Sequence, residues 1–212
     1  MDKNKLKLIA LLGIAIVPLS LATWAFNKAI EHGVGGTTNK GVLVTPVLDL
    51  AELGLRDAEG GPAYQGFEEL TAGVSPDDYD PRPWQLLYLG TANCDAGCED
   101  RLFFLRQMHI LLAGDAPRVQ RVYVQVGQGT QLDPGVAALL EREHPGMRAV
   151  FVDSATLGAE LAPSAAGHDP VAEHYIYVAD PVGNVMMYFT PGNTPEQILS
   201  DLEKLLKRSS LG

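Results

Sequence analysis

The chain holds two cysteines, Cys94 and Cys98, in the run Leu89-Gly90-Thr91-Ala92-Asn93-Cys94-Asp95-Ala96-Gly97-Cys98-Glu99-Asp100. Two thiols at i and i+4 have two chemistries open to them. They can close a disulfide, provided the turn brings their Cα atoms within about 7 Å. As thiolates they can instead grip one soft metal ion, Cu(I) above all, and an added imidazole accommodates Cu(II) as well. A cysteine at the head of a helix feels the positive end of the dipole and free amide donors, which favour the thiolate. Asp95, Glu99 and Asp100 oppose this by like charge. A bridge that merely pins the turn is a third reading, weakened because so short a loop gains little chain entropy on closure.

The histidines sort by distance from the pair. His109 lies eleven residues after Cys98, about 16 Å along one helix, which is too far to share a metal. His32 falls in a polar tether and His144 at a helix end, and neither has an expected role. His174 opens an expected strand and is the candidate third metal ligand or redox neighbour, with His168 in the preceding loop as its reserve. No Ser-His-Asp set and no H-E-x-x-H occurs, and Gly127-Gln128-Gly129 lacks the lysine and spacing of a phosphate loop. Trp84, Tyr88, Phe103 and Phe104 read as core.

The elements that must hold these residues follow from periodicity. Trp84 to Gly90 is a continuous apolar run, the mark of a strand covered on both faces. Asp100 to Leu112 has helical spacing, with Arg101 and Arg106 on its wet side and Gly114 as the closing C′ glycine. Val119 to Val126 is a second strand and Asp133 to His144 a helix with proline at its first position. Arg148 to Val152 is a third strand, and Ala155 to Leu161 a short helix. His174–Ala179 and Val185–Thr190 make a hairpin over Asp180-Pro181-Val182-Gly183, a type I turn. Thr194-Pro195-Glu196 starts the last helix, to about Lys207, with Ile198, Leu202 and Leu205 inward. Gly41 to Leu50, with Pro46, suits an edge strand. Residues 51–82 carry turn signals at Gly60-Gly61-Pro62 and Ser75-Pro76-Asp77-Asp78 and no clear element. Alternating strands and helices closed by a hairpin predict an α/β, thioredoxin-like mixed sheet flanked by helices.

One transmembrane helix is expected ahead of this domain. Lys3, Lys5 and Lys7 precede nineteen uncharged, mostly apolar residues, Leu8 to Phe26, which meets the length of a membrane span. Length and flanks favour an uncleaved anchor over a cleaved signal peptide, whose A-x-A-like sites here are poor. The expected organisation is a cytoplasmic tail (1–7), an anchor (8–26), a linker (27–40) and one thioredoxin-like domain (41–212). The positive-inside rule puts that domain outside the cytoplasm; the expectation is a single-pass protein of the inner (cytoplasmic) membrane with its C-terminal domain in the periplasm or elsewhere outside the cytoplasm. One cysteine pair suits an oxidising space. A net charge of −10 with no basic stripe excludes nucleic acid as a partner.

An N-terminal anchor, a strand ending at a C-x-x-x-C turn, a β-α-β core and a closing hairpin beside a histidine resemble the Sco/SenC family, as in a divergent relative. The resemblance spans about residues 41–212. It implies a membrane-tethered thioredoxin-like protein that helps assemble the copper site of cytochrome c oxidase. On this reading Cys94 and Cys98 act catalytically or bind copper, His174 completes the copper site, and the copper-bearing oxidase subunit is the partner. The chain departs from the family at Glu99, where proline is usual, and at Val126-Gly127-Gln128-Gly129, where an aspartate-bearing stretch is expected. His174 also lies nearer the turn proline than the family histidine does. Three functions thus stand side by side: a metallochaperone or thiol reductant for oxidase assembly, a general extracytoplasmic thiol-disulfide oxidoreductase without metal, and a non-catalytic domain with a structural disulfide.

Overall fold

The computed structural model describes residues 3–31, 38–73, 75, 82–164 and 167–209. Two compact units are present, residues 1–39 and 40–212. The first holds a single helix, α1 (Lys3–Glu31), with Pro18 inside it. Leu12, Ile14, Ile16, Val17, Leu19, Leu21, Trp24 and Phe26 are all exposed on it. At 100° per residue these positions spread around the whole circumference rather than along one stripe. The expected anchor falls within α1, but side chains at 8–11 and 15 lie outside the described set. Among the described residues, no helix is long and apolar enough to cross a membrane. Of the expected linker, residues 32–37 with His32 lie outside the described residues, as do Pro76, Asp77 and Asp78, while residues 27–31 continue α1.

The second unit is built on a six-stranded sheet of order β1-β6-β5-β2-β3-β4. Its strands are β1 (Val42–Asp49), β2 (Trp84–Gly90), β3 (Val119–Val126), β4 (Arg148–Val152), β5 (Ile176–Ala179) and β6 (Asn184–Phe189). β2, β3 and β4 run parallel. β5 is antiparallel to β2, and β6 and β1 continue antiparallel beyond it. This is the expected thioredoxin-like mixed sheet.

Every residue of β2 is buried, because its two faces serve two cores. Trp84, Leu86 and Tyr88 pack with Leu102, Leu105 and Met108 of α3 (Ala96–Leu111), Val136 and Leu139 of α4 (Pro134–Glu143), and Ile198, Leu202 and Leu206 of α6 (Pro195–Arg208). Leu87 and Leu89 face the other way, onto Leu157 and Leu161 of α5 (Ser154–Leu161) and onto Leu50, Leu53, Leu55 and Tyr64. The segment without a clear element thus supplies part of the second core. It also covers the edge of the sheet: the Arg56 N–H donates to the Phe151 carbonyl at 2.8 Å and the Arg56 carbonyl accepts the Phe151 N–H at 2.9 Å. A short α2 (Phe67–Thr71) follows it.

Local sequence explains the helix ends. Thr194 and Gln197 form a capping box at the start of α6. In the hairpin turn, Oδ1 of Asp180 accepts the amides of Val182, Gly183 and Asn184. Three expectations need correction. α6 turns Leu206 fully inward, with Leu205 only partly buried against the same core. α3 closes at Ala113, which takes the left-handed backbone (φ +50°) in place of Gly114, because the helix ends at Leu111 and a 3-10 turn occupies Ala113–Arg118. Most important for the site, α3 begins at Ala96, not Asp100.

Candidate functional site

The early start of α3 has a plain cause. Asp95 is its N-cap, and its carboxylate accepts the amide of Cys98 at 2.9 Å, satisfying one of the donors that every helix start leaves free. Cys98 is therefore inside the first turn and Cys94 directly precedes the cap. Cys94 and Cys98 are joined in a disulfide, with Cα atoms 5.2 Å apart, within the normal range for a bridge.

The two sulfurs are not equivalent. Cys98 is 3% exposed and belongs to the α3 core. Cys94 is only partly buried and lines a cavity of about 220 Å³ with Asn93, Glu99, Asp133, Val136 and Arg142. Cys98 faces the opposite side, where it lines a cavity of about 390 Å³ with Tyr88, Thr91, Asp95, Asp169 and His174. An incoming group therefore reaches Cys94 from the α4 side, while Cys98 looks toward His174.

Sheet register brings His174 here. β5 pairs antiparallel with β2, Ile176 opposite Tyr88, so the residues before β5 lie beside the residues after β2. His174 is not the first residue of a strand, as expected, but the last of a tight loop, with a left-handed backbone (φ +55°). A non-glycine residue adopts that conformation only where its surroundings hold it there. Three contacts do so. The Tyr88 hydroxyl lies 2.8 Å from Nδ1 of His174. Nε of Arg101 donates to the His174 carbonyl at 3.1 Å. On the far side of the ring, Nε2 sits 3.8 Å from Oδ1 of Asp95. Nε2 also lies so close to Gly97 that a methyl group there would stand 2.6 Å away. The imidazole is thus seated against the residue preceding Cys98, and only glycine at position 97 leaves it room.

Burial, then nearby Tyr123 and Asp95, push the Tyr88 hydroxyl well above its ordinary pKa, with Arg101 partly offsetting them. Tyr88 is therefore a neutral hydroxyl at any working pH. Tyr123 is also buried, and its hydroxyl donates to the Thr91 carbonyl at 2.7 Å, crossing the bare face of Gly90 and fixing the exit of β2.

The other expected residues fall elsewhere. His168 is exposed and bonds Glu173 at 3.2 Å rather than folding toward the pair. His109 packs its own helix end, with Nε2 bonded to the Ala116 and Val119 carbonyls. His144 is buried at the end of α4. Trp84 and Tyr88 are core, but Phe103 is 52% exposed and Phe104 only partly buried, each stacked by an arginine: Arg106 on Phe103 and Arg101 on Phe104. Arg101, expected on the wet side, is 7% exposed. Spacing accounts for this: Arg101 stands four residues before Leu105 and seven before Met108, so it shares their inward face with Cys98 and Leu102. Asp95, Gly97, Arg101 and the polar role of Tyr88 were all missed. An aspartate just before Ala-Gly-Cys is a legible N-cap.

Among the described residues, no three histidine, cysteine, aspartate or glutamate side chains are grouped to hold a metal ion. In the disulfide form the sulfurs are bonded to each other and are not thiolate ligands. Reduction would free both, and His174 fits as their neighbour: if Nδ1 donates to Tyr88, Nε2 carries the lone pair and faces the head of α3. An imidazole ligand generally has its second nitrogen held in this way.

The model of the family described as "Transmembrane-like, thioredoxin-like, C-terminal domain" matches residues 84–209. The chain belongs to that family. No curated protein sequence matches it. Among solved structures it is similar to yeast Sco1 with copper bound, at 14% identity and a TM-score of 0.54 over 82% of this chain and 96% of that one. It is similar also to copper-bound ScoI of Arabidopsis thaliana, at 12% identity and a TM-score of 0.53 over 78% and 99%. A third is BsSco, described as carrying a disulfide switch and as a member of the Sco family of cytochrome c oxidase assembly proteins. It is 10% identical, with a TM-score of 0.50 over 81% and 98%. At such identities the likeness is one of fold. It accords with a divergent relative of the Sco/SenC proteins.

Proposed function

We propose that this protein is a membrane-anchored, extracytoplasmic assembly factor of the Sco kind, which cycles Cys94–Cys98 between disulfide and dithiol and carries copper on the reduced pair. The observation that carries the reading is the seating of the His174 imidazole against Gly97, beside a closed cysteine pair of unequal exposure. A structural bridge needs no histidine fixed at both its ring and its backbone. A site for a soft ion does, since thiolates with an imidazole suit copper in either oxidation state.

The cycle begins with a thiolate of a reducing dithiol, which attacks the partly exposed Sγ of Cys94. The Cys94–Cys98 bond breaks, a mixed disulfide forms, and Cys98 leaves as thiolate. The second thiol of the donor then closes its own disulfide and frees Cys94. Cys94 and Cys98, with His174, would hold the copper cargo and pass it by ligand exchange to the copper-bearing subunit of cytochrome c oxidase. The anchor is inferred from the uncharged stretch Leu8–Phe26 behind three lysines. With those lysines inside, the domain would lie in the periplasm or elsewhere outside the cytoplasm.

The test is anaerobic Cu(I) titration of the reduced, detergent-solubilised chain. The expected result is one tight equivalent, lost in Cys94→Ser and weakened in His174→Ala. A chain that binds no Cu(I) yet exchanges disulfides readily is a metal-free oxidoreductase. A bridge that resists mild dithiol is structural, and either result rejects the copper reading.

A further inference from the structure

Arg101 is the most costly residue in this region. It is a cation 7% exposed, one helical turn past Cys98 on the inward face of α3. Its Nη2 is buried and makes no hydrogen bond. An apolar side chain of similar volume would fill that place more cheaply, since a buried charge loses hydration that its few contacts only partly return. Its contacts say what it does instead. Its plane lies over the Phe104 ring, 5.0 Å from the centroid, which fixes the direction of the guanidinium. Its Nε donates to the carbonyl of His174 at 3.1 Å, the residue whose backbone is left-handed. Helical side chains lean toward the helix start, so the guanidinium reaches back toward the turn that holds the cysteines.

We propose that Arg101 is a positioning residue for His174: by holding the carbonyl of that left-handed residue, it sets the imidazole against Gly97 and so beside the cysteine pair. Tyr88 fixes the ring from one side, and the loop holds the amides of His174 and Tyr175 on the carbonyls of Val171 and Pro170 at 3.2 and 2.9 Å. Arg101 adds a restraint on the His174 carbonyl, from the same helix that carries Cys98. The inference rests on reading Cys94, Cys98 and His174 as one site, and does not require copper.

The experiment is a cycle on the full chain, read as the equilibrium between Cys94–Cys98 and dithiothreitol. In that exchange the protein disulfide breaks, the reagent closes into its cyclic disulfide, and its two protons pass to Cys94 and Cys98. A thiol can donate to the imidazole and a disulfide cannot, so His174 favours the reduced form. His174→Ala is expected to shift the equilibrium toward the disulfide by about threefold or more, and Arg101→Met by a similar factor. The double variant is expected to lie no further than His174→Ala alone, because Arg101 acts through His174. Arg101→Lys, which keeps a donor and the charge, should recover most of the shift. Arg101→Gln serves in place of the Met variant should that one not fold. An Arg101 variant within twofold of the parent, or a shift that persists in the His174→Ala background, overturns the proposal. Loss of Cu(I) binding with this cycle intact would reject the copper reading and leave the positioning role standing. A failed cycle beside tight copper binding would do the reverse.

Discussion

The hydroxyl of Tyr88, on β2, and Nδ1 of His174, in the loop that leads into the neighbouring antiparallel β5, lie 2.8 Å apart. One buried hydroxyl thereby decides which way the imidazole faces. Tyr88→Phe removes that partner without changing the ring's volume. The expected cost in stability is about 1 kcal/mol, the usual net worth of one hydrogen bond, read from the urea midpoint. The cost at the site is larger, since an imidazole freed at its second nitrogen loses about tenfold or more in metal affinity. Competition for Cu(I) against a colorimetric chelator measures it. A Phe variant that binds Cu(I) as tightly as the parent would show that Tyr88 does not orient the ligand.

Asp95 serves the helix and opposes the thiolate at once. Its carboxylate caps the Cys98 amide at 2.9 Å, and its charge falls between the two cysteines in the chain. Asp95→Ala should lower stability by about 1 kcal/mol through loss of the cap, whereas Asp95→Asn should keep most of it. Both remove a negative charge next to the pair, so both should speed alkylation of the reduced protein by iodoacetamide near neutral pH. Equal stability of the Ala and Asn variants would mean that the cap contributes nothing.

Much of the fold was legible because its elements are strongly patterned. β2 reads as buried on both faces from seven residues without a charge, and Asp180-Pro181-Val182-Gly183 names its own turn. The site was legible only in part. Cys94 and Cys98 show themselves by type and spacing, and His174 by its place ahead of the hairpin. Arg101 did not, because its charge reads as a wet-side residue, although its spacing to Leu105 and Met108 puts it on their buried face. Gly97 and His174 meet through long-range pairing of β5 with β2, which no local pattern records. The segment before β2 has no periodic signal, since Leu50, Leu53, Leu55 and Tyr64 enter the core from turns.

His144 gives a pH dependence whose sign can be worked out. It is buried at the end of α4, with Nδ1 unpartnered. Burial first, then the charges of Arg106 and Arg121, hold its pKa below the ordinary value of 6.5. The unfolded chain therefore takes up a proton near pH 6.5 that the folded chain still refuses. Stability is unaffected above that pH, declines as the pH falls through it, and stops declining below the folded pKa. In His144→Gln this part of the decline should vanish, so the urea midpoints of variant and parent should converge or cross between pH 7.5 and 5. Parallel midpoints across that range would show that the imidazole does not titrate differently on folding.

The unequal exposure of the two sulfurs predicts which one a partner meets. Cys98 is shut into the core, while Cys94 opens onto the cavity beside Glu99, Asp133 and Arg142. A thiolate that attacks Cys94 expels Cys98, and Cys98 then resolves the mixed disulfide from its buried place in the first turn of α3. In Cys98→Ser no resolving thiol remains, so a mixed disulfide formed from a disulfide reagent such as oxidised glutathione should accumulate at Cys94. In Cys94→Ser the surviving thiol is buried, and the adduct should form about tenfold or more slowly, because exchange depends on access. Mass spectrometry of the quenched reaction reads both. Equal rates would mean that the exposed sulfur is not the point of entry, and that the cavity lined by Cys98 and His174 is the side from which a partner arrives.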